Sequence, residues 1–214
     1  MPETDLTLLI DAARQAAEIA NRFWTTDQQI WHKHDNAGPV SEGDYAVDTY
    51  QRECLTAARP GYGWLSEETE DDPARLQAET VFIVDPIDGT RSYVAGDATW
   101  AHSLAVVRNG QPVAAVVYLP QRDKLYTATL GGGALLNGRA LVASSRSRLE
   151  GAEFLAPKPS LDPKHWRGEP PPVTRHFRPS LAYRLCLVAE GRFDGMLTLR
   201  DCWEWDIAAG ALIA

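Results

Sequence analysis

The sequence feature that most constrains the fold is a short, uninterrupted apolar run at Val81–Val84. A half-exposed strand alternates apolar and polar residues, so an unbroken run is typical of a β-strand that is covered on both faces. An apolar stripe at steps of three and four predicts a helix over Leu6–Trp24. Ser41 and Asp44 resemble a capping pair, which predicts a second helix that ends near Ala58. Helices and buried strands in one chain favour a layered α/β (α+β) fold.

Further strands are predicted around this run, and a polar loop is predicted over residues 33–39. The Asn109-Gly110 pair between two strand patterns is a strong hairpin signal. The other predicted strands are Gly63–Ser66, Ser103–Val107, Val113–Leu119 and Lys124–Thr129.

The C-terminal third of the chain is expected to form a subdomain of its own. Prolines cluster between residues 157 and 179 and predict loop or edge structure. We therefore expect an N-terminal part over 1–142 and the start of a C-terminal part over 143–214. That part is predicted to contain a helix over Leu181–Glu190, a strand over Met196–Leu199 and a helix from Asp206. No cap closes the last apolar helix, so we expect the chain to be shorter than its natural length.

Composition limits the class of protein. The chain has 214 residues, 44% hydrophobic and 23% charged, with a formal net charge of −8. These values predict a globular protein, and no apolar run approaches the roughly 20 residues of a membrane helix. The acidic start lacks the basic residues of a secretory signal, and the three cysteines contain no Cys-x-x-Cys pair. We therefore expect a cytoplasmic protein that has neither a membrane nor a nucleic-acid polymer as partner.

The apolar strand ends in two carboxylates, Asp85 and Asp88. Pro86 fixes one φ angle and removes one amide donor, so the chain turns and both carboxylates can face one cavity. Gly89 permits a close backbone approach, and Thr90 would begin a helix or turn whose free N–H groups suit an anion. A tight turn capped by the aspartates is the alternative interpretation of this run.

Other carboxylates favour a ligand site over a simple turn. Glu67 follows a predicted strand, Asp44 opens a helix, and Asp206 precedes an apolar helix. A partly buried carboxylate is costly unless it is paired or bound to a metal. A role of Asp206 as the helix N-cap is an equally open interpretation. Oxygen ligands without matching His or Cys favour Mg²⁺ over Zn²⁺, and motifs of zinc hydrolases, serine hydrolases and Walker-type nucleotide sites are absent from the sequence.

Four motifs, in this order along the chain, resemble those of the inositol monophosphatase family of Mg²⁺-dependent, lithium-sensitive phosphatases. Residues 39–44 resemble the start of an early helix, and residues 65–68, Leu-Ser-Glu-Glu, resemble the upstream glutamate motif. The first signature is matched by residues 85–90, Asp-Pro-Ile-Asp-Gly-Thr, and the second by residues 205–210, Trp-Asp-Ile-Ala-Ala-Gly. The resemblance covers nearly the whole chain, and the combination of the four motifs is highly specific.

The resemblance implies a set of metal ligands for two to three Mg²⁺ ions. Glu67, Asp85 and the backbone carbonyl of Ile87 would bind the first ion. Asp85, Asp88 and Asp206 would bind the second, and Glu67 with water would hold a weaker third.

The resemblance also implies the residues that bind phosphate and prepare the attacking water. Asp88, Gly89 and Thr90 would form the phosphate site, to which Gly89 and Thr90 contribute their amides. Thr90 would orient the water, with Glu67 or Asp44 accepting its hydrogen bond, so Asp44, Glu67 and Thr90 are the expected catalytic residues.

The implied fold is an αβαβα sandwich, commonly a homodimer, and the implied reaction is hydrolysis of a small phosphomonoester by metal-activated water. Arg91-Ser92-Tyr93 departs from the Asn-Phe that usually follows the first signature and resembles the 3'(2'),5'-bisphosphate nucleotidase branch. The Leu-Ser-Glu-Glu form and residues 180–184, Ser-Leu-Ala-Tyr-Arg, favour the same branch. We therefore expect 3'-phosphoadenosine 5'-phosphate as the substrate and AMP and phosphate as the products. Inositol 1-phosphate is the alternative substrate, and a catalytically silent metal- or phosphate-binding protein is the alternative of another class.

Overall fold

The structure is a computed structural model that describes residues 4–33 and 38–214, so residues 34–37 of the predicted loop lie outside the described part. The α-helices of the described part are α1 (Asp5–Phe23), α2 (Glu42–Ala58), α3 (Thr90–Val94), α4 (Leu181–Ala189) and α5 (Glu204–Ile213). Its strands are β1 (Ile30–His32), β2 (Pro39–Ser41), β3 (Gly63–Ser66), β4 (Thr80–Asp88), β5 (Ala101–Arg108), β6 (Gln111–Leu119), β7 (Lys124–Thr129), β8 (Gly133–Leu136), β9 (Arg139–Ala140), β10 (Glu153–Leu155), β11 (Thr174–His176) and β12 (Gly195–Met196).

A mixed sheet of seven strands, in the order β3-β4-β5-β6-β7-β8-β9, forms the middle of the fold. The strands β3 and β4 are parallel, and the other neighbours are antiparallel. Helices α1 and α2 contact this sheet, as do α4 and α5, and α4 also contacts β12 of a three-stranded parallel sheet, β11-β10-β12. The predicted layered α/β architecture is therefore confirmed.

The apolar run in β4 packs against helices on both faces of the sheet. Successive side chains of a strand point to opposite faces. Phe82 and Val84 therefore join a buried cluster with Leu9 of α1, whereas Ile83 joins a second cluster with Ala209 of α5. This two-sided burial explains why the run contains no polar residue.

Most local predictions agree with the structure. The first two helices, the strand at β3 and the strand at β7 lie where the sequence predicts them. Ser41 caps α2, and its backbone N–H donates in return to Asp44 Oδ2 at 2.9 Å, which completes the capping box. Asn109 and Gly110 have φ angles of 50° and 77° and join β5 to β6 in the predicted hairpin.

Three predicted boundaries are wrong. The strand β4 does not end at Val84 but continues through Asp88, because β5 pairs with it as far as Ala101. Of the strand predicted over Met196–Leu199, only Met196 lies in a strand, because β12 spans Gly195–Met196. The last helix begins at Glu204, before Asp206, because Asp206 accepts the backbone N–H of Trp203 and closes the first turn from within the helix.

The division into parts 1–142 and 143–214 stays a prediction. The cluster beside α4 and α5 combines Val117 from the first part with Leu187 from the second. No helix in the described part of the chain is long and apolar enough to cross a bilayer.

A substitution at Gly43 can test how tightly α2 packs against Tyr93, which follows the first signature. A Cβ at Gly43 would clash with the Tyr93 hydroxyl and lie 2.9 Å from its Cε1. We expect Gly43→Ala to lower the free energy of unfolding by about 1–3 kcal/mol in urea denaturation, because a buried overlap forces neighbours to shift. The control is Gly61→Ala, whose Cβ would meet nothing within 4 Å. Equal stabilities of the two variants would contradict this packing.

Candidate active site

A β-bulge in β4 places the two aspartates of the first signature. Asp85 pairs with Ser103 and Asp88 pairs with Ala101, so Pro86 and Ile87 lie opposite the single residue between those partners. A bulge bends the strand and redirects the side chains around it. The bulge thus allows two carboxylates three positions apart to approach each other.

A third carboxylate, from α5, completes a cluster at this bulge. One oxygen each of Asp85, Asp88 and Asp206 lie within 4.8 Å of one another. Asp85 and Asp88 are buried, and Asp206 is partly buried. Residues more than a hundred positions apart therefore meet in one acidic centre.

Asp85 differs from the other two carboxylates of this cluster in one of its oxygens. Its Oδ1 is buried and has no hydrogen-bond partner among the described residues. Burial, followed by the charges of Glu67, Asp88 and Asp206, raises the pKa of Asp85 well above its usual range. An unpaired buried carboxylate among other acids fits a site that receives a hard cation, because oxygen ligands and negative charge are what Mg²⁺ requires.

Asp88 is held by the beginning of α4. Its Oδ2 accepts hydrogen bonds from Ser180 Oγ and from the Ala182 N–H, both at 2.7 Å, and its Oδ1 accepts from the Leu181 N–H at 3.2 Å. Burial raises the pKa of Asp88 to about 6, although these hydrogen bonds act to lower it. Ser180 has a φ of 64°, an uncommon conformation for serine that its bonds to Asp88 and to the Tyr183 N–H hold in place.

Asp206 is oriented from two sides. Its Oδ2 accepts the Trp203 N–H at 2.9 Å, and its Oδ1 lies 3.3 Å from Nη2 of Arg200. The interpretation of Asp206 as the helix N-cap is wrong, because Trp203 is the N-cap and Asp206 is the third residue of α5. Asp206 still closes the first turn with Oδ2, while its side chain lies in the cluster.

Thr90 and Asp44 form a second polar group beside the cluster. Thr90 Oγ1 lies 3.1 Å from Asp44 Oδ1 and 3.1 Å from the Ile87 carbonyl oxygen, so its hydroxyl donates to one of these acceptors. Ser41 Oγ donates to Asp44 Oδ2 at 2.6 Å. Burial raises the pKa of Asp44 to about 6, against the lowering effect of its hydrogen bonds. Of the two acceptors expected for Thr90 on the sequence, Asp44 is the one that the structure bonds to it.

Gly89 connects the bulge to α3, at a position that only a residue without a side chain fits well. Its φ is 102°, in the region that favours glycine, and a Cβ would lie 3.3 Å from the Thr99 carbonyl oxygen. The first N–H groups of a helix have no acceptor within it, and the amides of Gly89 and Thr90 stand at this position.

Glu67 takes part in a pair of salt bridges beside the three aspartates, and its charge acts on Asp85. Lys33 Nζ is 2.7 Å from Glu67 Oε1 and 2.8 Å from Glu68 Oε1. Burial lowers the pKa of Lys33, but the two glutamates outweigh it and raise the pKa overall. Burial and the Glu67 charge raise the pKa of Glu68 to about 8, although Lys33 lowers it.

One cavity of about 500 Å³ joins these groups. Three arginines line it together with Glu67 and the three clustered aspartates. Its lining includes Glu67, Asp85, Asp88, Gly89, Thr90, Arg91, Ser180, Arg184, Arg200 and Asp206. The Ile87 carbonyl oxygen and Asp44 Oδ1 both contact Thr90 Oγ1.

Sequence reasoning missed Lys33 and Ser180. A serine directly before a predicted helix is a signal for an N-cap, but its partner Asp88 lies 92 positions earlier. Lys33 lies 34 positions before Glu67, and its sequence context contains no signal for that contact.

Comparison with known proteins identifies the family. A family model described as the inositol monophosphatase family matches residues 1–214. The chain belongs to the inositol monophosphatase family. An inositol-1-monophosphatase of Rhizobium meliloti is 40% identical over 184 residues, which cover 81% of this chain and 68% of the relative. An inositol-1-monophosphatase of Mesorhizobium japonicum is 35% identical over 227 residues, which cover 97% of this chain and 81% of the relative.

A solved structure agrees with this assignment. The extragenic suppressor protein suhB of Bartonella henselae superimposes with a TM-score of 0.82 at 30% identity, covering 96% of this chain and 82% of that protein. Members of the inositol monophosphatase family are Mg²⁺-dependent phosphoric monoester hydrolases, and the acidic cluster of this chain fits such a cation. The family expectation is confirmed, whereas these comparisons do not assign the chain to the nucleotidase branch.

The electrostatics of Asp85 give a testable dependence of stability on pH. The raised pKa means that the folded chain binds this proton more tightly than the unfolded chain, so without metal its stability falls as the pH rises above about 4. We expect Asp85→Asn to raise the free energy of unfolding in EDTA at pH 8 by about 1–3 kcal/mol, because a buried charge is removed.

Urea denaturation at pH 8 and at pH 4 measures this effect, and the gain should shrink at pH 4, where Asp85 is protonated in the folded chain. The matched control is Asp27→Asn at an exposed position, for which we expect a change within about 0.5 kcal/mol. A metal-free Asp85→Asn variant no more stable than the parent at pH 8 would refute this account of Asp85.

Proposed function

We propose that this chain hydrolyses inositol 1-phosphate to inositol and phosphate in a Mg²⁺-dependent reaction. The observation that carries the proposal is the convergence of Asp85, Asp88 and Asp206, with the Asp85 Oδ1 unpartnered. A phosphomonoester is repelled by these carboxylates unless cations neutralise them. The names of the two rhizobial relatives favour inositol 1-phosphate over the nucleotide expected from the sequence.

The proposed metal ligands are those that the family resemblance implies. Glu67, Asp85 and the Ile87 carbonyl would hold one ion, and Asp85, Asp88 and Asp206 a second, with Glu67 available to a third. The orphaned Asp85 Oδ1 supports this assignment, because the other two aspartates already have partners in the protein. When bound, Mg²⁺ supplies the positive charge that phosphoryl transfer requires and makes water more acidic.

Asp44, Glu67 and Thr90 are the proposed catalytic residues. When the Thr90 hydroxyl donates to Asp44 Oδ1, 3.1 Å away, a lone pair of Thr90 Oγ1 is available to accept a hydrogen bond from the attacking water. Ser41 keeps Asp44 in place with two hydrogen bonds. The water oxygen bonds to phosphorus as the ester P–O bond breaks. The proton that this water loses passes through the Thr90 hydroxyl to Asp44, and the leaving inositol oxygen takes a proton from solvent water.

The proposed phosphate site is the segment Asp88–Thr90. The amides of Gly89 and Thr90 would donate to the phosphate oxygens, as helix N-termini do elsewhere. Asp88 repels phosphate as a bare anion, so its contribution depends on the bound cation. A homodimer and a cytoplasmic location stay predictions.

A second candidate substrate is a bisphosphate such as 3'-phosphoadenosine 5'-phosphate. Arg184 lines the cavity and is 5% exposed, and its Nη1 is buried without a hydrogen-bond partner in the described part of the chain. Arg91 and Arg200 line the same cavity. A second anionic group on the substrate would satisfy such guanidinium groups, whereas inositol 1-phosphate has none.

The proposed activity is tested by phosphate release from inositol 1-phosphate with and without Mg²⁺. We expect Asp88→Asn to lower kcat by about 100-fold or more at saturating Mg²⁺, because the loss of one metal ligand removes several kcal/mol of transition-state stabilisation. Asp27→Asn is the control, and circular dichroism verifies that Asp88→Asn is folded. Near-normal turnover by Asp88→Asn would refute the assignment, and a folded parent chain that binds Mg²⁺ but releases no phosphate from any phosphomonoester would favour the silent binding protein.

The choice between the two substrates is tested at Arg184. If the second candidate is correct, Arg184→Met raises the KM for 3'-phosphoadenosine 5'-phosphate by about 10-fold or more, since a hydrogen bond to a charged group is worth about 1.5–3 kcal/mol. The KM for inositol 1-phosphate is expected to change by less than about threefold. Arg14→Met, at an exposed position of α1, is the control. Equal changes for both substrates would remove the argument for a bisphosphate.

A further inference from the structure

His102 lies opposite the bulge that carries the acidic centre. It is the residue of β5 between Ala101 and Ser103, the two partners of the aspartates, and it faces both Pro86 and Ile87 across the ladder. Its side chain is fully buried. A fully buried histidine near the start of a strand is unusual, because its two ring nitrogens need partners.

The imidazole of His102 bonds the bulge directly. Its Nδ1 lies 2.5 Å from the carbonyl oxygen of Pro86. Because a carbonyl oxygen only accepts, Nδ1 carries the hydrogen and donates it to Pro86. The buried Nε2 has no hydrogen-bond partner, so the contact with Pro86 is the polar interaction that the described structure gives this ring.

Two aromatic rings fix the orientation of this imidazole. Trp100 meets His102 edge to face with ring centroids 5.4 Å apart, and Tyr93 meets Trp100 in the same way at 4.9 Å. The Tyr93 hydroxyl donates to the Ala20 carbonyl of α1 at 2.6 Å, which anchors this row of rings to the first helix. The donor of His102 is therefore aimed at the bulge by packing as well as by its own bond.

We propose that His102 is a positioning residue for the metal centre: its Nδ1–H holds the Pro86 carbonyl, so that Asp85, Asp88 and the Ile87 carbonyl are pre-arranged for a cation. The residues of a bulge lose part of the ladder that would otherwise fix them. The imidazole replaces this missing constraint at the centre of the segment Asp85–Asp88. The inference rests on the metal ligands given under the proposed function.

Two substitutions separate this role from a purely structural one. The amide nitrogen of asparagine occupies the place of Nδ1, so His102→Asn keeps the donor to Pro86 but loses the ring contact with Trp100. His102→Leu keeps more of the apolar volume and loses the donor. Both variants should melt at a lower temperature than the parent, but only the leucine variant should bind metal more weakly.

The experiment measures Mn²⁺ binding to the full chain, freed of metal and without substrate, by electron paramagnetic resonance at a temperature where every variant is folded. We expect His102→Leu to weaken Mn²⁺ binding by about 10-fold or more, in the range found for groups that orient metal ligands. We expect His102→Asn to stay within about threefold of the parent. Phe82→Leu, in the cluster against α1, is the control that lowers the melting temperature without changing Mn²⁺ affinity.

Should His102→Leu fail to fold, His102→Gln takes its place, because the glutamine amide reaches the position of Nε2 rather than Nδ1 and is expected to weaken Mn²⁺ binding in the same way. The inference is overturned if the leucine and glutamine variants bind Mn²⁺ as tightly as the parent. It is overturned equally if the asparagine variant is as weak as they are, or if the parent binds no Mn²⁺. The parent and the variants could show the expected order of Mn²⁺ affinities while the parent does not hydrolyse inositol 1-phosphate. That result would refute the proposed function and leave the role of His102 intact.

Discussion

The constraint on which the rest of the structure depends is the repulsion among three carboxylates whose oxygens lie within 4.8 Å of one another. The protein relieves it unequally. Asp88 receives hydrogen bonds from the start of α4, and Asp206 receives one from Trp203. Among the described residues, the buried Oδ1 of Asp85 has no hydrogen-bond partner. A divalent cation is the ligand that three such carboxylates suit.

The acids of this site also build the scaffold that holds them. Asp44 completes the capping box of α2, Asp88 accepts the first amides of α4, and Asp206 closes the first turn of α5. Each of these bonds satisfies a helix N–H group that has no acceptor within the helix. Each of these side chains thus stabilises the start of a helix and also belongs to the site. The helix bonds therefore restrict how far the side chains of the site can move. The large sheet links α2 and α5, because β4 contacts both helices.

The sequence was informative where the interaction is local. The periodicity of α1, the capping pair at Ser41 and the Asn109-Gly110 turn each depend on a few neighbouring residues, and all three are found in the structure. The predicted end of β4 was wrong because the last residues of this strand are paired by β5. No pattern within β4 itself reveals that pairing. Motif resemblance supplied the set of acids, but the bond between Asp88 and Ser180 and the Lys33 salt bridges join positions far apart in sequence. Such contacts follow from the packed fold rather than from spacing.

The central claim is that the acidic centre at the bulge is a cation site. Diffraction from crystals grown with Mn²⁺, collected at a wavelength where manganese scatters anomalously, tests it most directly. The account predicts an anomalous peak within about 2.5 Å of carboxylate oxygens from Asp85, Asp88 and Asp206. A well-ordered Asp85 without such a peak, or manganese bound only elsewhere on the chain, would contradict it.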